Sequence, residues 1–279
     1  MGNFNYNIGA NITTVKNTVI SLGAGQPIDQ QMYLTMQLFG NTYTQEGHSI
    51  GEFYGYVTDG IFQNQAEITS SPTQAGVVPG DRKYKDVSGP DGVPDGKIDA
   101  NDRTFLGSPI PKFFYGFNLG ASYKGFDFSM MLQGQYGNKI FNELKGQIYV
   151  LHNFNGIGVG NVAKEMLLSW NGEGTSNTLP RIAYNPNGDN YKGSDFYVED
   201  GSYLRCRTLN LGYTLPSSLV NRANIGGVRI YLNTQNLFTI TKYSGFDPEI
   251  NNANPLTSGV DWGQYPVSRS YTLGLNLQF

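Results

Sequence analysis

The chain closes on Tyr271-Thr-Leu-Gly-Leu-Asn-Leu-Gln-Phe279, and this stretch decides the fold. Tyr271, Leu273, Leu275, Leu277 and Phe279 occupy every second position, with Thr272, Gly274, Asn276 and Gln278 between them. A strand sends alternate side chains to opposite faces, so this is a ribbon with one apolar and one polar face. Its length is that of a tilted strand crossing a bilayer, about 9–11 residues. An edge strand of a soluble sheet alternates in the same way, but ending on an aromatic residue with no polar tail is the less common feature.

Further upstream the pattern repeats as a hairpin. Phe113, Tyr115, Phe117, Leu119, Ala121 and Tyr123 alternate with Phe114, Gly116, Asn118, Gly120 and Ser122. After Lys124-Gly125, Phe126, Phe128, Met130, Leu132 and Tyr136 alternate with Asp127, Ser129, Gln133 and Gln135. Two amphipathic strands on a two-residue turn are the repeating unit of an outer-membrane barrel. Glycine on the polar side lets neighbouring strands and lumen contents approach closely. More strands are expected from Phe4 to about Lys16, from Tyr43 to Val57 (pairing with the first), from Tyr203 to Tyr213, and from Val228 to about Asn236. The connections at 124–125 and 215–227 are short, whereas 58–111, 138–201 and 237–269 are long and rich in Gly, Asn, Asp and Pro. Short turns at one end and long loops at the other are the asymmetry of these barrels. The expected fold class is therefore all-β: the C-terminal portion of a large antiparallel transmembrane β-barrel, about seven strands, with long extracellular loops. In the second long segment, Val162, Met166 and Trp170 lie at helical spacing and predict a short helix over 159–170.

Composition agrees. Charged residues are 15% of the 279, against roughly 25% in a soluble domain, and 19 Tyr with 16 Phe supply the apolar faces. The formal net charge of −3 gives no footprint for nucleic acid. A single cysteine, Cys206, rules out an internal disulfide, and two histidines, His48 and His152, are too few for most metal sites or triads. No apolar run reaches the length of a transmembrane helix, which a barrel does not need. The start, Met1-Gly2-Asn3-Phe4, has no export signal, and seven strands cannot close a useful barrel in lipid. The expectation for residues 1–279 is a C-terminal segment, with the plug domain and N-terminal strands absent from it.

One motif carries ligand chemistry. With Asp91 at the first position of a calcium loop, Asp95 falls at the fifth, Gly96 at the sharp turn, Lys97 at the carbonyl-donating seventh, Asp99 at the ninth and Asp102 at the twelfth. Val93 at the third position has no ligand oxygen, Asp102 is shorter than the usual glutamate, and Asp86 is a candidate substitute from across the Pro90 turn. Calcium stiffening a loop is one reading, and a solvated Asp/Gly turn is the other. Catalytic constellations do not assemble, so no enzyme is expected. Asp195, Glu199 and Asp200 could be imagined as an acid pair but sit in a loop, and Gly156–Gly160 lacks the strand and spacing of a phosphate loop. Loop aromatics Tyr149, Phe154, Tyr184, Tyr191, Phe196, Tyr197 and Trp262 suit sugar stacking, a partner surface or loop packing.

Four stretches resemble the SusC/RagA family in order along the chain. They are Gly51-Glu-Phe-Tyr-Gly-Tyr-Val-Thr-Asp-Gly-Ile-Phe62, Asp95-Gly-Lys-Ile-Asp99 with Asn101-Asp-Arg-Thr104, Tyr203-Leu-Arg-Cys-Arg-Thr-Leu-Asn-Leu-Gly-Tyr-Thr-Leu-Pro216, and Asn236-Leu-Phe-Thr-Ile-Thr-Lys-Tyr-Ser-Gly-Phe-Asp-Pro-Glu249. The terminal strand ending at Phe279 makes a fifth. The Gly-Pro-Asp-Gly-Val-Pro insertion before Asp95 departs from the family's compact acidic loop. The resemblance implies a TonB-dependent importer of the Bacteroidetes outer membrane, a barrel of about 22 strands around a plug. It implies a SusD-like surface lipoprotein that captures glycan or peptide, and TonB-ExbB-ExbD acting through the plug. It also implies that Phe279 belongs to the terminal signal read by the outer-membrane assembly machinery. The competing reading is a soluble all-β glycan-binding or adhesion module, whose apolar faces would be buried between two sheets.

Overall fold

The structure is a computed structural model that describes residues 4–23, 25–34, 37–149, 161–183, 190, 192–220, 225–250 and 252–279. Six long strands form one antiparallel wall: β1 (Asn5–Thr14), β2 (Phe113–Tyr123), β3 (Phe126–Tyr136), β4 (Tyr203–Thr214), β5 (Gly227–Gln235) and β6 (Ser270–Gln278), side by side in that order. No helix among the described residues is long and apolar enough to cross a membrane. The period-two pattern explains the wall, because matched registers bring like faces together. One row runs Ile8, Leu119, Met130, Leu209, Thr234, Tyr271, and the next runs Tyr6, Ala121, Phe128, Leu211, Leu232, Leu273. A one-residue slip in any strand would turn its apolar set to the other side.

Every long connection leaves from the same end of the wall. Thr14, Phe113, Tyr136, Tyr203, Gln235 and Ser270 all stand at that end, while Lys124-Gly125 and the 215–226 connection close the other. The expected strand at 43–57 is not in the wall. β1 pairs directly with β2, and the segment 15–112 between them builds its own sheet from Ile28–Leu34, Gln37–Thr44, Glu52–Gly55 and Thr104–Gly107. The reason is burial: Phe53 and Thr42 are almost fully enclosed, with no face left over for lipid. The seventh member of the wall sheet is instead the short strand Thr239–Thr241, which extends the line of β5 beside β4 beyond a kink at Asn236.

The three long connections fold into one cap. Lys139–Asn142 of the second pairs with Val198–Asp200 and with Val260–Asp261 of the third, making a three-stranded sheet. Phe53, Phe141, Tyr197 and Val260, drawn from all three connections, form its core, with Leu106, Phe196 and Val198 packed against it. The first connection is also pinned to the others by hydrogen bonds from the Thr42 hydroxyl to the Leu256 carbonyl (2.6 Å) and from the Thr58 hydroxyl to Asp195 (2.7 Å). Gly55 marks the closest approach, since a Cβ there would lie 2.3 Å from the Gly193 carbonyl oxygen. The helix expected over 159–170 falls partly outside the described residues, and its remainder is a 3-10 turn, Lys164–Leu168, which buries Met166.

Candidate functional site

The wall presents two chemically distinct faces. On one, Leu273 is 77% exposed, and Ile8, Phe126, Leu211 and Ile230 are exposed beside it. No second sheet covers this face among the described residues. On the other, the row Asn7, Gly120, Ser129, Asn210, Asn233, Thr272 is polar throughout. It is knitted by hydrogen bonds from the Asn210 amide to the Ser129 hydroxyl (3.0 Å) and from the Asn233 amide to Asn210. Lower on the same side Arg229 meets Asp127 at 2.6 Å, and the pair lies across Gly212, where a Cβ would sit 2.4 Å from both side chains. Glycine is required there so that the two side chains can lie flat against the wall.

Where the wall meets the cap, two arginines hold the third connection. The register of β4 against β3 shifts between Cys206 and Thr208, and this bulge places both Arg205 and Arg207 on the polar side. The Arg205 side chain, 2% exposed, reaches Asp247 (2.6 Å), Glu249 (2.7 Å) and the Thr239 hydroxyl (2.9 Å). Arg207 closes on the other oxygen of Glu249 and donates to Gln133. The other Asp247 oxygen accepts from the Val267 backbone at 3.2 Å. Strict alternation along β4 would set both arginines on the apolar side with Leu209 and Leu211, and the bulge removes that conflict.

The acidic turn of the first connection is held by its own backbone. Asp102, fully buried, accepts from the Val87 (2.9 Å), Ser88 (3.2 Å) and Asp99 (2.8 Å) amides. Asp99 accepts from the Asn101 amide, Asp95 from the Lys97 amide, and Asp86 from those of Asp95 and Gly96. Asp91 and Lys97 are exposed, and buried Ile98 ties the turn to Thr73. Among the described residues no three His, Cys, Asp or Glu side chains stand close enough to hold a metal ion. Asp91, Asp95, Asp99 and Asp102 thus share one turn without converging on one point, and as placed they do not fit a calcium cage.

The three loop acids also serve the cap. Asp195 binds Thr58, Glu199 takes Ser244 and pairs with Lys145 (3.4 Å), and Asp200 accepts from Ser202 at 2.6 Å. Phe196 and Tyr197 belong to the cap interior, and Tyr149 leans on Phe196. Phe154, Tyr184, Tyr191, His152 and the 156–160 glycine run lie outside the described residues. Trp262 is 44% exposed, and it is joined by two aromatics that the sequence reading passed over, Phe246 and Tyr265, both exposed on the third connection. Phe279 stands exposed at the free end of β6.

No family model matches the chain. Curated relatives do. The TonB-dependent receptor P3 of Formosa agariphila is 35% identical over 242 residues, 84% of this chain and 23% of that protein. The TonB-dependent receptor P26 of the same organism is 31% identical over 99% of this chain and 27% of its own length. The TonB-dependent receptor SusC of Bacteroides thetaiotaomicron is 27% identical over 99% and 24%. Among solved structures, the RagAB peptide transporter superposes with a TM-score of 0.71 at 24% identity, covering 99% of this chain and 27% of that one. The RagAB peptide importer in its open-open state gives 0.67 at 26%, with the same coverage. The chain therefore spans about a quarter of the length of the relatives it matches.

A wall with one lipid-compatible face and all its long connections at one end, matched to these relatives, defines a TonB-linked β-barrel protein of the outer membrane, a class of receptors and transporters rather than enzymes. Within that class the chain belongs to the SusC/RagA family, whose C-terminal part it matches.

Proposed function

We propose that residues 1–279 form the C-terminal wall and extracellular cap of a TonB-dependent importer for glycans or peptides. The observation that carries this reading is the apolar row running through all six strands, with every long connection at the opposite end from the short turns. Upstream strands pair with the outer edges of β1 and β6, since an open edge in lipid leaves backbone groups that cost several kcal/mol each. An upstream plug fills the polar side and answers to TonB-ExbB-ExbD. The cap receives a SusD-like surface lipoprotein, with Phe246, Trp262 and Tyr265 as its exposed aromatic contacts, and Phe279 is read by the assembly machinery.

The test is partition. With an export signal, the chain extended by its upstream sequence is expected in the outer membrane as a heat-modifiable barrel, and the 279 residues alone are not. If the short form is instead soluble, folded and monomeric, the importer reading fails and a soluble binding module replaces it.

For the acidic turn we propose self-support rather than calcium. The carboxylates already accept the backbone N–H groups that give the turn its shape. Calcium added to the detergent-solubilised barrel, after treatment with chelator, should leave its melting temperature unchanged. A saturable rise that is lost in Asp102→Asn would restore the calcium reading.

A further inference from the structure

The apolar face of the wall is not uniform. Toward the short-turn end it sinks into a groove of about 600 Å³ that crosses β2, β3, β4 and β5. Its floor is set by Ala121, Phe128 and Leu211, neighbours in one row, and Ala121 is the small residue that makes the depression. Its lower end is walled by Tyr123, Phe126 and Tyr213, with the Phe126 and Tyr213 rings 4.4 Å apart. Just beyond this aromatic end the hairpin turn carries Lys124, exposed, with its ammonium 5.1 Å from the Tyr123 ring and no acidic partner among the described residues.

From this juxtaposition we propose a built-in site for one phospholipid of the periplasmic leaflet, an acyl chain lying in the groove and its phosphate on Lys124. The inference rests on the reading above, in which this face meets lipid and the short turns face the periplasm. Three features favour a lipid over a protein partner. The groove lies within the membrane-facing band, so acyl chains are the apolar groups at hand. Aromatic rings at its end stand where the hydrocarbon region gives way to headgroups. A lysine one residue past those rings complements a phosphate at that depth, and its charge meets no carboxylate among the described residues. The left-handed backbone of Lys124 (φ 47°), followed by Gly125 (φ 85°), fixes where the lysine leaves the wall, so headgroup and chain contacts keep a constant separation.

The experiment uses the full-length protein, upstream sequence included, purified from outer membranes in mild detergent and titrated with dioleoyl phosphatidylglycerol or dioleoylglycerol under native mass spectrometry. One phosphatidylglycerol per chain should persist after delipidation. Dioleoylglycerol, which has no phosphate, should bind about fivefold more weakly, the weight of one lysine near a membrane surface. Lys124→Asn, an exchange that tolerates the left-handed turn, should abolish that difference between the two lipids. Ala121→Trp fills the groove and should lose the retained lipid. Heat-modifiable migration of each variant checks that the barrel has formed. Equal retention by the wild type and Ala121→Trp, or an unchanged preference in Lys124→Asn, would overturn the site. A barrel that enters the membrane but retains no lipid overturns this inference alone, whereas a chain that never enters the membrane overturns the importer reading beneath it.

Discussion

Arg205→Ala is expected to release the third long connection from the wall and to lower stability by about 3–5 kcal/mol. Arg205 is 1% exposed and Asp247 is 7% exposed, so removing the guanidinium leaves a carboxylate enclosed without its charge partner. It also strips Glu249 of one of its two arginines and the Thr239 hydroxyl of its donor. The loss is structural as well as energetic, because Asp247 organises the chain around it by accepting from the Glu249 amide at 2.9 Å and from the Val267 amide. Folded full-length protein carrying Arg205→Ala should be nicked by protease within 236–269 where the wild type resists.

Arg229→Ala supplies the contrast. Arg229 also holds an aspartate at 2.6 Å, but both partners are about a third exposed, and such pairs contribute about 0–1 kcal/mol. Burial, and not the length of the contact, should order the two variants. Equal effects in urea unfolding would mean that the Arg205 cluster is solvated in the assembled barrel and is not a latch.

The same cluster shows where the sequence runs out. Wall strands were legible wherever a two-residue period kept one apolar face, as in β2, β3 and β6. In β4 strict alternation would place Arg205 and Arg207 on the same side as Leu209 and Leu211, which is impossible in lipid. That conflict was the available signal for a bulge, and the register shift after Cys206 resolves it. Residues 43–57 misled for the opposite reason. Phe53-Tyr54-Gly55-Tyr56 has the aromatic strand propensity of a barrel wall, but its packing partners, Phe141, Tyr197 and Val260, come from connections far away in sequence. Propensity reports a pleated, half-buried surface and does not say what covers it. The acidic turn was readable as a turn, but not as one whose carboxylates cap amides, because ligand spacing and capping spacing draw on the same Asp and Gly residues.

Glu143 gives the cap a pH dependence that its sequence does not announce. It opens the short helix Glu143–Ile148, is fully buried, and among the described residues neither carboxylate oxygen has a hydrogen-bond partner. Burial pushes its pKa up to about 8 from an ordinary 4.5, so it is neutral at pH 7. The nearby charges do not rescue it: Lys145 is committed to Glu199 and the Phe196 carbonyl, and the Arg82 guanidinium stacks on the Phe196 ring at 3.9 Å. Tyr197, buried beside it, is itself pushed up to about 12, chiefly by burial, and adds no charge in this range. A raised carboxyl pKa means that the folded cap holds a proton the unfolded chain releases. The stability tied to that proton is fully present below pH 4.5 and is lost progressively until about pH 8. The span corresponds to a change on the order of 5 kcal/mol. Glu143→Gln has no proton to lose, so it should match the wild type near pH 5 and exceed it at pH 9. Hydrogen exchange over residues 139–149, compared between variant and wild type at each pH, isolates the effect from the intrinsic pH dependence of exchange. Protection that falls equally in both proteins between pH 5 and pH 9 would show that Glu143 finds a partner in the assembled barrel, and the cap would then owe its pH response to another group.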